Sequence, residues 1–562
     1  MLRSSAFMAA GLGGAALIGC SSGKSTESGG GGADKPAGAA SGPTAASIIG
    51  KSWSNREPDG VPKYGGVLSW AGSSPTLAFL DPIQMGQSLP HQVASNAYSA
   101  LMRIGRPVKD RNDQQIYPDL AESWETTDPL KMVFKLRQGV KFHNIAPVNG
   151  RPLTSEDVKF AVMRAATDKL SVFKGNLSAI KSVETPDANT VVVNLSRFDP
   201  MIFPDLAGHY AWITPKELVD GGKIREQVIG SGPFIFQQWE KDSRIAYKKN
   251  PEYYIKGVPF VDELNVLQVA NEDTRNAVLK SQQTQIGIVP KPAVSMFKDD
   301  KNFVMESWLT SNNTCLFMNF KEARWKDERV RQAHSLAIDW GIMLKILEEG
   351  AGQLRGPVSA KFSGWSLSQD ELKSKRFYMR NDMQQAKQLM AAAGFPDGIA
   401  TPMLYSTSNP QSYLDHVQYL AETWTKNGIN KIKLVGMDFA SLRKQQDEHT
   451  YDGLCIGADG EPQPELYLLD YRSNGAKNGS GIASPELDAE IDKVVGTVDL
   501  KERQDKAKDL SAKILEKVQY KITYTDGTSN EAWTKDTHNY MGIVSDWYMT
   551  TGFAYTWLTG KA

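Results

Sequence analysis

MVFKLRQGVKFH, at residues 132–143, is the stretch that decides the fold. Apolar and polar residues alternate over 132–137, which is typical of a β-strand with one buried face. Gln138 and Gly139 interrupt the alternation, and an apolar, polar, apolar triplet follows at 140–142. We therefore expect a β-hairpin here.

A helix is predicted shortly after this hairpin. Thr154 and Asp157 have the three-residue spacing of a capping box, which marks a helix N-terminus. Apolar residues then recur at helical spacing from Val158 to Ala165, so the helix has one apolar face. Three consecutive valines at 191–193 predict the next strand, because β-branched side chains favour a pleated sheet.

The second half of the chain alternates helices and strands. Two predicted helices start at Asn381 and Leu414 and end near Gly394 and Gly428, and a strand is predicted at 431–435. Helix, glycine and strand in this order predict an α/β lobe with a largely parallel sheet. Beyond it, we expect one long charged helix over 484–517 and a strand over 520–524.

Length and composition limit the class of protein. The chain has 562 residues, more than the ~250–300 at which one hydrophobic core stops growing, so we expect at least two lobes. Hydrophobic residues make up 41% and charged residues 23%, as in globular proteins. Lys+Arg and Asp+Glu are equal at 64 each, so no overall field favours nucleic acid as a partner.

The N-terminal residues have the pattern of a secretory signal. Arg3 precedes an apolar run at 6–18, which is too short to span a bilayer as a helix. Leu17-Ile18-Gly19-Cys20 resembles the bacterial lipobox, in which the cysteine is lipidated; the alternative is an ordinary signal peptide. Residues 21–60, rich in Gly, Ser and Ala, predict a flexible linker behind this signal of residues 1–20.

No catalytic or metal-binding pattern stands out. The seven histidines are scattered, without the spacing of a zinc site, and there is no G-x-S-x-G elbow, so we expect no enzyme, no metal and no cofactor. Cys315 and Cys455 both lie in apolar, strand-like runs. Buried thiols are the simpler interpretation, and a disulfide between them is the alternative.

A series of segments resembles the family 5 extracellular solute-binding proteins of ABC importers. The resemblance covers nearly all of residues 64–562 and follows the order of the family's segments along the chain. The strongest segments are Tyr117–Glu125, similar to the signature P-x-L-A-E-S-W, and Phe134–His143. Further matches are Gly65–Leu68, Leu153–Val158, Gly230–Phe234, Asn250–Tyr254, Asp327–Ala333 and Ala386–Phe395.

The resemblance implies a two-lobed, periplasmic-binding-protein-like α/β fold of class II, cluster C type. It divides the chain into a discontinuous base lobe (61–85, 205–305 and 520–562), an extra subdomain inserted at 86–204, and an opposing α/β lobe at 306–519. The chain then passes between the lobes twice, which makes a hinge that closes on a ligand.

The resemblance also implies a site for the ligand. Ile456-Gly457-Ala458-Asp459 aligns with the family's W-x-x-D element, whose aspartate meets the N-terminal ammonium of the ligand in the peptide binders. Asp459 is therefore our first candidate, and the alternative is that it serves the turn that follows. Other candidates to line the cleft are Ser74, Thr76, Tyr210, Trp212, Asn313 and Trp365.

The resemblance implies a monomeric binding component, anchored by a lipid on Cys20 to the outer face of the cell membrane or held in the periplasm. Its partners are a small polar ligand, an oligopeptide or similar solute, and an ABC permease with its ATPase subunits. Three alternatives stay open: an oligosaccharide ligand, a sensory role with the same fold, and a surface lipoprotein hydrolase.

Overall fold

The structure is a computed structural model. It describes residues 60–72, 79–84, 94–105, 115–207, 211–310, 314–374, 377–409, 411–461, 463–475, 477–518, 520–540 and 552–560. Cys20, Ser74, Thr76, Tyr210 and Asn313 lie outside these residues, so their predicted roles stay predictions.

Strands from distant parts of the chain form six sheets within the described ranges. In chain order the strands are β1 (Val67–Gly72), β2 (Met102–Gly105), β3 (Gln115–Pro118), β4 (Ala121–Asp128), β5 (Lys131–Leu136), β6 (Ile180–Asp187), β7 (Thr190–Leu195), β8 (Phe234–Glu240), β9 (Arg244–Lys249), β10 (Glu263–Gln268), β11 (Ile286–Ile288), β12 (Phe303–Leu309), β13 (Thr314–Met318), β14 (Gln353–Leu354), β15 (Ile399–Ser406), β16 (Asn430–Met437), β17 (Leu454–Ala458), β18 (Lys521–Thr523), β19 (Thr525–Asp526), β20 (Thr528–Thr534), β21 (Thr537–His538) and β22 (Trp557–Leu558).

Most of the described helices belong to the second half of the chain. In chain order they are α1 (Ser155–Thr167), α2 (Ile202–Ala207), α3 (Lys216–Asp220), α4 (Glu272–Lys280), α5 (Val294–Lys298), α6 (Ala323–Lys326), α7 (Glu328–Leu336), α8 (Trp340–Glu348), α9 (Gln369–Lys373), α10 (Met383–Ala392), α11 (Gln411–Lys426), α12 (Phe439–Glu448), α13 (Pro464–Leu469), α14 (Pro485–Val495) and α15 (Leu500–Lys513).

A seven-stranded sheet combines the start, the middle and the end of the chain, in the order β12-β20-β11-β1-β10-β9-β8. Strand β1 lies at its centre, parallel to both β10 and β11. Trp70 of β1 and Trp533 of β20 are buried in one apolar cluster of this sheet. The sheet therefore forms only when segments more than 400 residues apart come together.

A four-stranded antiparallel sheet, β4-β5-β7-β6, is built from residues between β1 and β8. Met132, Phe134 and Leu136 of β5 point into its core, as the alternation predicts. Helix α1 packs on this sheet, and the Asp157 carboxylate accepts a hydrogen bond from the Thr154 N–H, as a capping box requires.

Two local predictions are wrong. The segment after Gly139 is not a strand, and β5 pairs with β4 and β7 instead; Lys141 forms only an isolated bridge to Pro152. The helix predicted over 484–517 is two helices, because α14 ends before Gly496 and Asp499 starts α15 by accepting a hydrogen bond from the Glu502 N–H.

A five-stranded sheet, β16-β15-β17-β13-β18, forms a second α/β unit. Strands β16, β15 and β17 are parallel, as predicted, whereas β13 runs antiparallel to β17 and to β18. Cys315 and Cys455 lie on these adjacent antiparallel strands and are free, buried thiols. Cys315 is opposite Gly457, and Cys455 is opposite Phe317.

The chain passes between the seven-stranded and the five-stranded sheets twice within the described ranges. The first passage joins β12 to β13, and the second joins β18 to β20. The Thr310 N–H donates a 2.9 Å hydrogen bond to the Gly527 carbonyl, which ties the two passages side by side. No helix within the described ranges combines the length and the apolar character needed to cross a bilayer.

Candidate functional site

The candidate site lies at one edge of the five-stranded sheet, the edge that is formed by the ends of its strands and not by an outer strand. Asp459 directly follows β17, and Thr314, the first residue of β13, pairs with Ala458 at this same edge. Strand β18 is parallel to β17, so its carboxyl end points the same way. Both passages to the other sheet leave from this edge, where the carboxyl ends of parallel strands commonly hold ligands.

Two cations hold the Asp459 carboxylate. Arg355 Nη2 donates to Asp459 Oδ2 at 2.6 Å, and Lys521 Nζ donates to Asp459 Oδ1 at 2.5 Å. The side chains of Asp459 and Arg355 are fully buried, and that of Lys521 is 2% exposed. Asp459 is therefore part of a buried ion cluster, with both of its oxygens bonded within the chain.

Aromatic rings cover the two cations. The guanidinium carbon of Arg355 lies 4.6 Å from the centroid of the Tyr467 ring, and Lys521 Nζ lies 4.5 Å from that of Tyr471. A cation over a ring face is attracted by the ring's quadrupole, more strongly where water is excluded. The rings therefore hold both charges in a fixed place.

The charges perturb one another strongly. Burial opposes ionisation of Asp459, but Lys521 and Arg355 outweigh it and lower the pKa of this carboxyl. Burial likewise opposes the charge of Lys521, yet Asp459 raises the pKa of the ammonium above its ordinary range. The three groups are therefore ionised together at neutral pH.

Two more carboxyl groups near the cluster behave differently. Burial raises the pKa of Asp526 to about 7, although the Arg355 charge opposes the rise. Burial and the Glu461 charge raise the pKa of Asp470 well above its ordinary value. At pH 7, Asp526 is therefore divided between its charged and neutral forms.

The two described tryptophan candidates do not contact this cluster. Trp365 is 9% exposed and packs with Phe362 and Tyr467 in an apolar core, with the Arg503 guanidinium 5.6 Å from its ring centroid. Trp212 is 7% exposed and belongs to the apolar cluster of the seven-stranded sheet.

Helix α13 begins five residues after Asp459 and contains an ion pair of its own. Its Glu465 accepts a hydrogen bond from Arg503 at 3.1 Å. Burial raises the pKa of Glu465, Arg503 opposes the rise, and Asp199, which follows β7 in the chain, adds to it. The Asp199 charge therefore acts on a helix that starts close to Asp459 in the chain.

Arg355, Lys521 and Asp526 were not predicted from the sequence. No motif marks them, since they are separated from Asp459 by 104, 62 and 67 residues and meet it only in the folded chain. One signal was present: three ionisable residues in otherwise apolar or turn-like surroundings, where a charge is rarely buried without a partner. Within the described ranges, no group of three or more His, Cys, Asp or Glu is arranged to hold a metal ion.

One unit is built around the seven-stranded sheet and another around the five-stranded sheet, and two adjacent passages join them, so the fold has two lobes. The model of the bacterial extracellular solute-binding proteins, family 5 Middle, matches residues 115–479. This chain belongs to that family and is the extracytoplasmic solute-binding component of an ABC importer.

Relatives and solved structures agree with this assignment. The chain is 28% identical over 424 residues to heme-binding protein A of Haemophilus influenzae, covering 70% of this chain and 76% of that protein. It is 27% identical over 464 residues to a dipeptide-binding protein of Pseudomonas aeruginosa, covering 77% and 85%.

Among solved structures, HbpA2 from Haemophilus parasuis has a TM-score of 0.74 at 22% identity, covering 88% of this chain and 100% of that one. The periplasmic binding protein DppA from Helicobacter pylori, in complex with the peptide STSA, has a TM-score of 0.71 at 22% identity, covering 89% and 99%. The predicted two-lobed fold is therefore confirmed.

Proposed function

We propose that this chain captures a small polar solute, an oligopeptide or a similar molecule, between its two lobes and delivers it to a membrane permease without altering it. The observation that carries the proposal is the buried ion cluster of Asp459, Arg355 and Lys521 at the edge where both passages leave the sheet. Charges buried at such an edge suit a ligand that is itself charged.

The relatives support a ligand of this size and polarity. Their names include di/tripeptide-binding proteins of Pseudomonas aeruginosa and a heme-binding protein of Haemophilus influenzae. One of the similar solved structures holds agropinic acid, and another holds a peptide.

The proposed lobes are those that the sequence analysis delimits: a base lobe of 61–85, 205–305 and 520–562, a subdomain at 86–204, and an opposing lobe at 306–519. Two passages between lobes act as a hinge, and a ligand that contacts both lobes stabilises the closed form. Changing the closed to open ratio from 1:99 to 99:1 takes a preference of about 10⁴-fold for the closed form.

Ligand binding is tested by thermal unfolding of the purified protein against panels of peptides, sugars and acidic solutes. A ligand present at one hundred times its Kd stabilises the folded state by about 2.7 kcal/mol, so the right solute raises the Tm. Chemical turnover of a panel member, with no solute raising the Tm, would contradict the proposal in favour of a hydrolase.

The proposed anchor is a lipid on Cys20, which holds a monomer on the outer face of the membrane. The Cys20→Ser variant should be released from the membrane fraction and should lose the mass of the lipid on its N-terminal peptide. Cys315→Ser, a change at a buried thiol, is the matched control and should stay in the membrane fraction. Equal membrane retention of both variants would disprove the anchor.

A further inference from the structure

Arg355 has more hydrogen-bond donors than the chain uses. Its guanidinium has five N–H groups, and Nη2 donates to Asp459. Its Nε lies 3.8 Å from Asp526 Oδ1, which is too long for a hydrogen bond. Although the side chain is fully buried, neither Nε nor Nη1 has a hydrogen-bond partner among the described residues. Buried donors of a cation are rarely left in this state.

In contrast, both carboxylate oxygens of Asp459 already accept a hydrogen bond from within the chain. Arg355 occupies Oδ2 and Lys521 occupies Oδ1. A ligand ammonium at this position would be a third cation on one carboxylate. It would lie next to Arg355 and Lys521, which are already buried there. Repulsion between like charges is strong where water is excluded, so the geometry disfavours an ammonium here.

The charges of the cluster also favour an anion. Two cations, Arg355 and Lys521, share one ionised carboxylate, that of Asp459, and Asp526 is only partly ionised near pH 7. The neighbouring ion pair of Lys477 and Glu461 is balanced within itself. Two cations are therefore bonded to one carboxylate, and one of them, the Arg355 guanidinium, still has unused donors.

Arg355 is also joined to the passage between the lobes. Its backbone N–H donates to the Tyr524 carbonyl at 3.2 Å, and the Thr523 hydroxyl donates to the Arg355 carbonyl at 2.9 Å. Asp526, two residues after Tyr524, accepts a hydrogen bond from the Ala360 N–H. A ligand held by Arg355 would thus contact the segment that connects the two sheets.

We propose that Arg355, supported by Lys521, is an anion subsite, and that the ligand of this chain is an acidic solute bound through a carboxylate rather than through an ammonium at Asp459. This inference rests on the solute-binding function proposed above and narrows its substrate class. Asp459 is then a positioning residue, which orients the guanidinium and offsets part of its charge. Arg and carboxylate are well matched, because two parallel N–H donors meet two oxygens.

The test compares three forms of one set of dipeptides: unmodified, N-acetylated and C-terminally amidated, with affinity measured by calorimetry. N-acetylation, which removes the ammonium, should change the Kd by less than about threefold. Amidation, which removes the carboxylate, should weaken binding at least about tenfold, since a charge-assisted hydrogen bond is lost. Loss of binding on N-acetylation, with amides binding as well as acids, would overturn the proposal.

Arg355→Lys keeps the charge but removes the planar pair of donors, and it should weaken binding of the carboxylate forms at least about tenfold. Arg503→Lys is the matched control, because Arg503 is also buried, paired with a carboxylate and close to an aromatic ring. Its Nε donates to Glu465 and its Nη1 to the Thr497 carbonyl. This variant should bind as the unchanged protein does, and equal losses in both variants would contradict the subsite.

The three dipeptide forms are measured on the unchanged protein, so the result holds even if Arg355→Lys does not fold. If no dipeptide binds, native mass spectrometry of the protein purified from cells identifies the solute that it carries. A bound solute without an acidic group overturns the anion subsite and leaves the binding function intact. Protein that neither carries nor binds any solute contradicts the proposed function itself.

Discussion

At the scale of single residues, Asp459 depends on two cations that are far away in the sequence. The Asp459→Asn substitution would leave Arg355 and Lys521 buried with less compensation, and breaking a buried ion pair by removing one partner typically costs about 3 kcal/mol. We expect a clear loss in the free energy of unfolding, measured with urea. Asp447→Asn, at the more exposed pair with Arg443, is the control and should cost much less. Equal losses would show that the cluster does not stabilise the fold.

His334 should make stability depend on pH. Its Nδ1–H donates to the Val330 carbonyl, and its Nε2 accepts from Asn430, so the neutral ring is bonded on both sides. Burial lowers its pKa to about 4. The unfolded chain takes up a proton near pH 6.5 and the folded chain does not. The stabilisation of the folded state by the buried, neutral His334 ring is therefore present above pH 6.5 and is lost as the pH falls towards 4.

The His334→Gln variant should therefore be less stable than the unchanged protein at pH 7, and the deficit should shrink by about 2 kcal/mol between pH 7 and pH 5. Urea unfolding of both proteins at each pH measures it. A deficit that is the same at both pH values would show that His334 does not titrate differently in the folded state.

Asp459 was predicted as a candidate site residue because a motif surrounds it, but neither of the cations that bind its oxygens was predicted. Motif reasoning works where the functional spacing is local, as in 456–459. Arg355 precedes a glycine and Lys521 lies in a short strand, and although their apolar or turn-like surroundings are a signal, no motif in either neighbourhood points to Asp459 as the partner. Their partners are fixed by sheet topology, which local patterns do not encode.

At the scale of elements, the glycine just before β15 controls how closely β15 and β16 pack. Gly398 and Gly394 both have positive φ, at +76° and +90°. A Cβ at Gly398 would lie 2.3 Å from the Gly428 carbonyl oxygen, just before β16, whereas a Cβ at Gly394 would have open space. Gly398 therefore lets β15 and β16 approach at their first residues.

We expect Gly394→Ala to cost about 1 kcal/mol, from the left-handed backbone alone. Gly398→Ala should cost distinctly more, since it adds a clash with backbone that cannot move without separating the strands. Thermal unfolding of both variants measures the difference. Equal costs would mean that the close approach of Gly398 and Gly428 does not constrain the sheet.

Elements with strong local signals were predicted well, and those that depend on distant partners were not. The capping box at Thr154 and the alternation of β5 were read correctly from the sequence. The hairpin at 138–142 was wrong because β5 takes its partners from β4 and β7, on either side of it in the chain. The break between α14 and α15 was missed because charged residues continue across it.

At the scale of the whole molecule, the seven-stranded sheet contains β1 from near the start of the chain and β20 from near its end. No periodicity in the sequence predicts such a pairing, and only the resemblance to a family did so. The two passages from β12 to β13 and from β18 to β20 are the consequence, and they place the hinge next to the ion cluster of Asp459, Arg355 and Lys521.

For the proposed transport function, the two lobes must close around a solute. Small-angle X-ray scattering of the protein, first without ligand and then saturated with the carboxylate-bearing solute that binds best, tests it most directly, with a non-binding amide as the control. We expect a smaller radius of gyration with the solute and no change with the amide. An unchanged radius of gyration at full saturation, starting from protein stripped of bound solute, would contradict it.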